Sequence, residues 1–172
     1  MLDPADPTED RRAVVVAGRT IAMDRLAARD RSRHELLEAL ARRRFPAEIA
    51  GVVVDQLQHE GLVDDERFAR AWVESRGRTK GLAASVLRRE LRLKGVDADI
   101  IDAVLDDVDP DRERQAAHRL VQRKLRSVQG LDPSVQVRRL TSMLARKGYA
   151  PQVAFDVVRA ELEAEAEPIE SI

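Results

Sequence analysis

The sequence contains no cysteine, which rules out disulfides, thiolate metal sites and a cysteine nucleophile. Aromatic residues make up only 3% of it: one Trp, one Tyr and three Phe. With so few rings a core must be built from aliphatic side chains, and plentiful Leu, Val and Ala favour packed helices over a sheet. No apolar run approaches the roughly 20 residues that a membrane-spanning helix needs. The opening Met1-Leu2-Asp3-Pro4-Ala5-Asp6-Pro7 lacks a basic segment followed by an apolar one, so a cytoplasmic protein without a secretory signal is expected. Catalytic signatures are missing as well. His34, His59 and His118 stand far apart, and none lies in an H-E-x-x-H spacing. There is no G-x-x-x-x-G-K-[ST] phosphate loop and no G-x-S-x-G elbow. The aspartates between 97 and 111 lack the Gly and terminal Glu of a calcium loop. No catalytic residue, metal or cofactor is expected, and hence no enzyme.

What is present is charge, and it is segregated. Charged residues form 35% of the 172-residue chain, yet the formal net charge is only −1. From Arg76 to Lys94 there are seven Lys/Arg against Glu90 alone, and from Arg112 to Lys147 ten Lys/Arg against Glu113 and Asp132. Between these segments Asp97, Asp99, Asp102, Asp106, Asp107, Asp109 and Asp111 form an acidic block, and further acids follow from Glu161 onward. Local field, not total charge, decides what such surfaces attract.

Apolar spacing gives the architecture. Beyond Thr20 nearly every segment carries a helical period, and three segments align as internal repeats. With Leu40, Leu91 and Leu144 as the reference column, Leu36, Leu87 and Leu140 sit four residues earlier. Phe45, Val96 and Tyr149 sit five later, Ile49, Ile100 and Val153 nine later, and Val53, Val104 and Val157 thirteen later. Each copy reads as helix, tight turn, helix. Gly95 and Gly148 fall where the first helix must end on a left-handed residue, which Gly adopts cheaply. Arg44 occupies that place in the first copy, at an expected cost of roughly 1 kcal/mol. Asp97 as an N-cap and Pro151 in a first turn open the helices that follow.

A further helical stretch precedes each pair, at residues 21–29, 65–76 and 111–128. In the second, Phe68 and Trp72 share an apolar face and are expected in the core. The expected fold is therefore all-α: three tandem three-helix repeats, about nine helices, in an elongated, curved array. The expected divisions are a flexible acidic arm at 1–18, with one apolar patch at Ala13 to Ala17, then repeats at 19–62, 63–109 and 110–163, and an acidic tail at 164–172. Leu40, Phe68, Trp72, Leu91, Leu144 and Tyr149, with the turn residues Gly95 and Gly148, carry the framework.

The basic clusters are the candidate binding surface. On a helix over 83–94, Ala84, Leu87 and Leu91 face inward while Arg88, Arg89 and Arg92 form a stripe on the other side. Residues 76–81 read as a mobile Gly-containing loop that adds Arg76, Arg78 and Lys80. A second patch comprises Arg119, Arg123 and Lys124, then Arg138, Arg139, Arg146 and Lys147. Guanidinium and ammonium groups in these numbers suit phosphate or an acidic protein groove. The scarcity of aromatics argues against base stacking, so any nucleic-acid contact should be backbone-directed and salt-sensitive.

Particular runs then bear a resemblance. Arg31-Ser32-Arg33-His34-Glu35-Leu36, Gly61-Leu62-Val63-Asp64-Asp65-Glu66-Arg67-Phe68-Ala69, Leu91-Arg92-Leu93-Lys94-Gly95-Val96 and Lys147-Gly148-Tyr149 resemble, in order, the pattern of the RecX family. The likeness spans about residues 21–162. It implies tandem three-helix repeats, no cofactor and no enzymatic activity. It also implies binding along the groove of the RecA recombinase filament, with restraint of its ATP hydrolysis, strand exchange and co-protease activity. Contact with single- or double-stranded DNA is a further implication. No membrane partner is expected, and the chain is expected to be a monomer. Arg76, Arg78, Lys80, Arg88 and Arg92 are the expected contacts. Arg44 and the acidic extensions depart from the family pattern. Two rival readings remain at this point, an autonomous helical DNA-binding protein and an adaptor for some other protein.

Overall fold

Among residues 7–166, which the computed structural model describes, the chain forms nine helices and no strand. They are α1 (Pro7–Ala28), α2 (Arg33–Arg42), α3 (Ala47–His59), α4 (Asp65–Lys80), α5 (Ala84–Leu93), α6 (Ala98–Asp106), α7 (Pro110–Leu125), α8 (Pro133–Arg146) and α9 (Pro151–Ala166). Short polar side chains start them. Ser32 Oγ accepts from Glu35 N at 3.1 Å, Asp64 from Arg67 N at 2.9 Å and Asp97 from Asp99 N at 2.9 Å. Asp109 and Asp132 cap α7 and α8 in the same way, with Pro in the first turn of each.

The three turns that follow α2, α5 and α8 are built alike. In each, the amide of the fifth column residue reaches back to the reference Leu: Phe45 N to Leu40 O, Val96 N to Leu91 O and Tyr149 N to Leu144 O, all 3.2 Å. Arg44, Gly95 and Gly148 take φ of 63°, 69° and 91°, and Arg44 is the one non-Gly residue with positive φ among the described residues. The local reading of the sequence therefore holds at all three turns, including the one with the wrong residue for it.

Two compact units result. The first comprises the residues up to Arg70 together with Leu91–Ile101. Its core is Leu36, Leu40, Val53, Val54, Leu57 and Val63, all at most 2% exposed, closed by Ala22 of α1. The second comprises Ala71–Glu90 and the residues from Asp102 onward, with Val121, Leu140, Leu144, Tyr149, Val157 and Val158 at its centre. Each unit thus holds one complete outer triplet and part of the middle one, α4 to α6.

Inside each unit a turn grips the start of a helix from the preceding triplet. In the first, Ser32 Oγ donates to Lys94 O at 2.6 Å, and Arg33 N donates to Asp65 at 2.8 Å. In the second, Ala83 N donates to Lys147 O at 2.9 Å, Ser85 Oγ to Gly148 O at 2.6 Å and Ala84 N to Glu113 at 3.1 Å. The free amides of two helix N-termini are satisfied by the neighbouring triplet, a joint that local sequence could not reveal. Tyr149 completes the second joint, donating from its hydroxyl to Gly81 O at 3.1 Å. Burial pushes that hydroxyl up to about 12, Glu113 adding to the effect and Arg119 opposing it.

The joints explain Arg44. A Cβ on Gly95 would overlap Cβ and Cγ of His34, and one on Gly148 would lie 2.5 Å from Ser85 Oγ and 2.6 Å from Val86 Cγ2. Arg44 is exposed, its side chain reaching solvent instead of a neighbouring helix, and the conformational cost remains. Arg44→Gly should therefore stabilise the chain by about 1 kcal/mol, read as a raised urea midpoint.

The first joint also carries a part-buried charge. Glu35, 12% exposed, receives Arg29 at 2.9 Å and Lys94 at 2.6 Å. Burial pushes its carboxyl up, but the hydrogen bonds and charges of Arg29 and Lys94 together outweigh that and hold it at about 2, against an ordinary 4.5. A depressed carboxyl stabilises the fold above its unfolded value and loses that stabilisation as pH falls toward the folded one. Unfolding midpoints measured from pH 5 down to about 2 should fall more steeply for the natural chain than for Glu35→Gln.

Three expectations need correction. The segment read as a flexible arm is helix from Pro7 onward, and α1 is anchored by Arg11 to Glu48 and Arg19 to Glu60, each at 2.6 Å. Gly18 of α1 lets Phe45 and Val53 approach, which a composition-based reading could not see. Residues 1–6 and 167–172, the ends of the expected arm and tail, lie outside the described residues. The expected loop at 76–80 is the last part of α4, and Trp72 is half-buried rather than in the core. Its indole donates to Glu90 at 2.8 Å while the Arg76 guanidinium lies 4.4 Å over the ring, so α4 runs on through Gly77. Leu40, Phe68, Leu91, Leu144 and Tyr149 are buried, as expected of the framework.

Candidate cationic binding surface

Helical spacing places Arg139, Ser142, Met143 and Arg146 along one face of α8, with Arg138 beside them. The end of α7 and the turn after it supply Lys124, Ser127 and Val128. Together these residues line an open cleft of about 360 Å³ between α7 and the α8 face. Its floor is apolar, from Val128 and Met143, and its rim carries four cations and two hydroxyls with no carboxylate among the lining residues. Lys124, Arg138, Arg139 and Arg146 are all exposed, and among the described residues none of them is held in an ion pair. Cations gathered over an apolar floor, without acids to neutralise them, attract anions more strongly than the same charges spread on a flat surface. Guanidinium forks add bidentate geometry toward carboxylate or phosphate.

The other expected binding residues are placed differently. Arg119 and Arg123 are exposed on α7 but do not line the cleft. Lys147 is half-buried and its ammonium donates to the Lys80 carbonyl, which makes it part of the second joint. On α4, Arg76 is half-buried against Trp72, with Nε 3.7 Å from Glu90. Arg78 pairs with Glu74 at 3.4 Å, and the Lys80 side chain is exposed. On α5, Arg88 is ion-paired with Asp102 of α6. Arg89 and Arg92 are exposed and unpaired among the described residues. Half of the expected α4–α5 cluster is thus committed to internal contacts. The acidic block supplied the missing partner: Asp102 was visible in the sequence, but its pairing with Arg88, fourteen residues away, depends on how α5 and α6 fold back on each other. A charge reversal at Arg88 would set Glu against Asp102 and disturb the fold, so that residue is a poor probe of binding.

The sequence reading missed the basic turn at the end of α2. Arg43 and Arg44 are both exposed there, and among the described residues neither is paired. The signal lay in the repeat alignment, which sets Arg43 in register with Lys94 and Lys147.

Comparison with known proteins is consistent along the whole chain. Sequence models for the first, second and third three-helix domains of RecX match residues 19–57, 64–105 and 111–158. A Regulatory protein RecX of Streptomyces coelicolor is 44% identical over 169 residues, covering 98% of this chain and 86% of the relative. One of Mycolicibacterium vanbaalenii is 45% identical, covering 96% and 92%. Among solved structures, a RecX from Lactobacillus salivarius superposes with a TM-score of 0.80 at 16% identity, over 88% of this chain and 99% of that one. Another crystal structure of a regulatory protein RecX gives 0.79 at 19% identity, over 92% and 80%. Three helical triplets matched in order, with relatives above 40% identity across nearly the full length, show that this chain belongs to the RecX family of regulatory proteins.

Proposed function

We propose that this chain is a non-catalytic regulator that binds the RecA–DNA filament in the cytoplasm and chiefly restrains its ATP hydrolysis, strand exchange and co-protease activity. Membership of a family of regulatory proteins supports the reading, and the cleft between α7 and α8 is the observation that carries it. A nucleoprotein filament presents the two anions that such a cleft suits, backbone phosphate and protein carboxylate. A chain of helical triplets that touches successive protomers hinders the motions tied to nucleotide turnover without chemistry of its own.

Reading a duplex as an autonomous DNA-binding protein is disfavoured by α6, the second helix of the middle turn. It exposes Asp99 and Asp106, which a major groove would repel. The deciding experiment is RecA's DNA-dependent ATP hydrolysis with increasing amounts of this protein at two salt concentrations. Hydrolysis should fall with added protein, and less so at the higher salt, since exposed charges are screened over about 10 Å at 0.1 M. Undiminished hydrolysis at both concentrations would refute the proposal.

A further inference from the structure

The turns after α5 and α8 each receive the N-terminus of a helix, the first through a cap hydroxyl and a Glu, the second through a backbone amide and a Ser hydroxyl. Lys94 offers its carbonyl to the N-cap hydroxyl of α2 at 2.6 Å and its ammonium, also at 2.6 Å, to Glu35 three residues on. Lys147 offers its carbonyl to the amide of Ala83 at the start of α5, and Gly148 offers its own to Ser85. The residue before the left-handed position is cationic in all three triplets: Arg43, Lys94 and Lys147. The turn after α2 has the same backbone, with Arg43 N on Leu40 O at 3.0 Å and Arg44 N on Ala41 O at 2.8 Å. Yet among the described residues no donor reaches the carbonyl of Arg43 or Arg44, and no carboxylate pairs with either side chain. Arg42 is occupied by Glu38 at 3.4 Å. Here an arginine also holds a conformation that its two counterparts leave to glycine. Strain kept at an exposed turn, where packing does not demand it, points to a use for the side chain.

We propose that the Arg43-Arg44 turn docks the N-terminus of a helix on a partner protein, one that opens with Ser or Thr at its cap and Glu three residues later. The Arg43 carbonyl takes the cap hydroxyl, the Arg43 guanidinium takes the Glu as Lys94 takes Glu35, and Arg44 adds a second cation toward the acidic first turn. Negative charge at a helix N-terminus is common because it suits the helix dipole, so an exposed pair of arginines beside open carbonyls is complementary to such an end in both charge and hydrogen bonding. The proposal rests on the function proposed above for its partner, taken as a helix of the RecA filament.

The test uses the full chain, fluorescently labelled, titrated with RecA filaments assembled on an oligonucleotide and separately with the bare oligonucleotide. The variant Arg43→Ala/Arg44→Gly keeps the turn and should melt at least as high as the natural chain. It should bind filaments at least fivefold more weakly while its affinity for the bare oligonucleotide stays unchanged. Arg43→Lys, which copies the residue used in the other two triplets, should bind as the natural chain does. Unaltered filament binding by the double variant overturns the proposal, and an equal loss on the bare oligonucleotide assigns the turn to phosphate and overturns it too. A natural chain that ignores filaments sinks the proposed function and this proposal with it. Natural binding with an indifferent double variant sinks the turn alone.

Discussion

Gly148→Ala is expected to destabilise the protein by about 2–4 kcal/mol, measured by urea denaturation. Two effects combine. The residue has φ of 91°, where any Cβ is strained by about 1 kcal/mol. The added methyl would also lie 2.5 Å from Ser85 Oγ, 2.6 Å from Val86 Cγ2 and 3.2 Å from the Val86 amide nitrogen. A side chain can rotate away, but the amide belongs to α5 and moves only with that helix, which forces the joint apart. Gly61 separates the two effects. It has φ of 71°, and a methyl placed there would meet no atom within 4 Å, so Gly61→Ala should cost only the strain. Equal losses at the two positions would show that the joint does not depend on the close approach, and the account given for Arg44 would fall with it.

The second large effect is expected in the cleft. Arg139→Glu/Arg146→Glu should raise the concentration needed for half-maximal restraint of RecA ATP hydrolysis by about 100-fold or more, since each charge-assisted contact contributes about 1.5–3 kcal/mol. Both side chains are exposed, so the thermal midpoint should stay close to that of the natural chain. Arg88→Glu offers the opposite pattern. It breaks the pair with Asp102 and sets two carboxylates together, so it should lower the thermal midpoint and weaken restraint by no more than severalfold. If the cleft variant restrains hydrolysis as well as the natural chain does, the cleft is not the contact surface.

Much of the fold was legible because its determinants are local. The apolar columns at Leu36, Leu40 and their counterparts follow from the helical period, and Gly95, Asp97 and Pro151 mark ends that neighbouring residues alone dictate. α1 escaped a reading by composition because prolines and acids suggest disorder on average. Yet Pro7, followed by Glu9 and Asp10, is also how a helix begins, and the core under Gly18 rewards that choice. The stretch 76–80 escaped for a related reason. Gly77 costs about 1 kcal/mol within a helix and two glycines suggest a loop, but stacking of Arg76 on Trp72 and the pair with Glu90 lie outside any propensity.

The candidate site was legible only as an inventory. All four cations of the cleft were identifiable from charge, but so were Arg76, Arg88 and Lys147, whose side chains meet partners within the fold. Ion pairing is decided by which acids the fold brings within about 4 Å, and for Arg88 that acid arrives from the next helix.

By itself the sequence determined most of the helices, with the start of α1 and the end of α4 excepted, and the three left-handed turns, since backbone preference and apolar period act over a few residues. Only the tertiary structure decided which cations face solvent unpaired, and why the first turn tolerates an arginine where the other two require glycine. Both depend on what a distant segment places beside the residue, and no local rule carries that information.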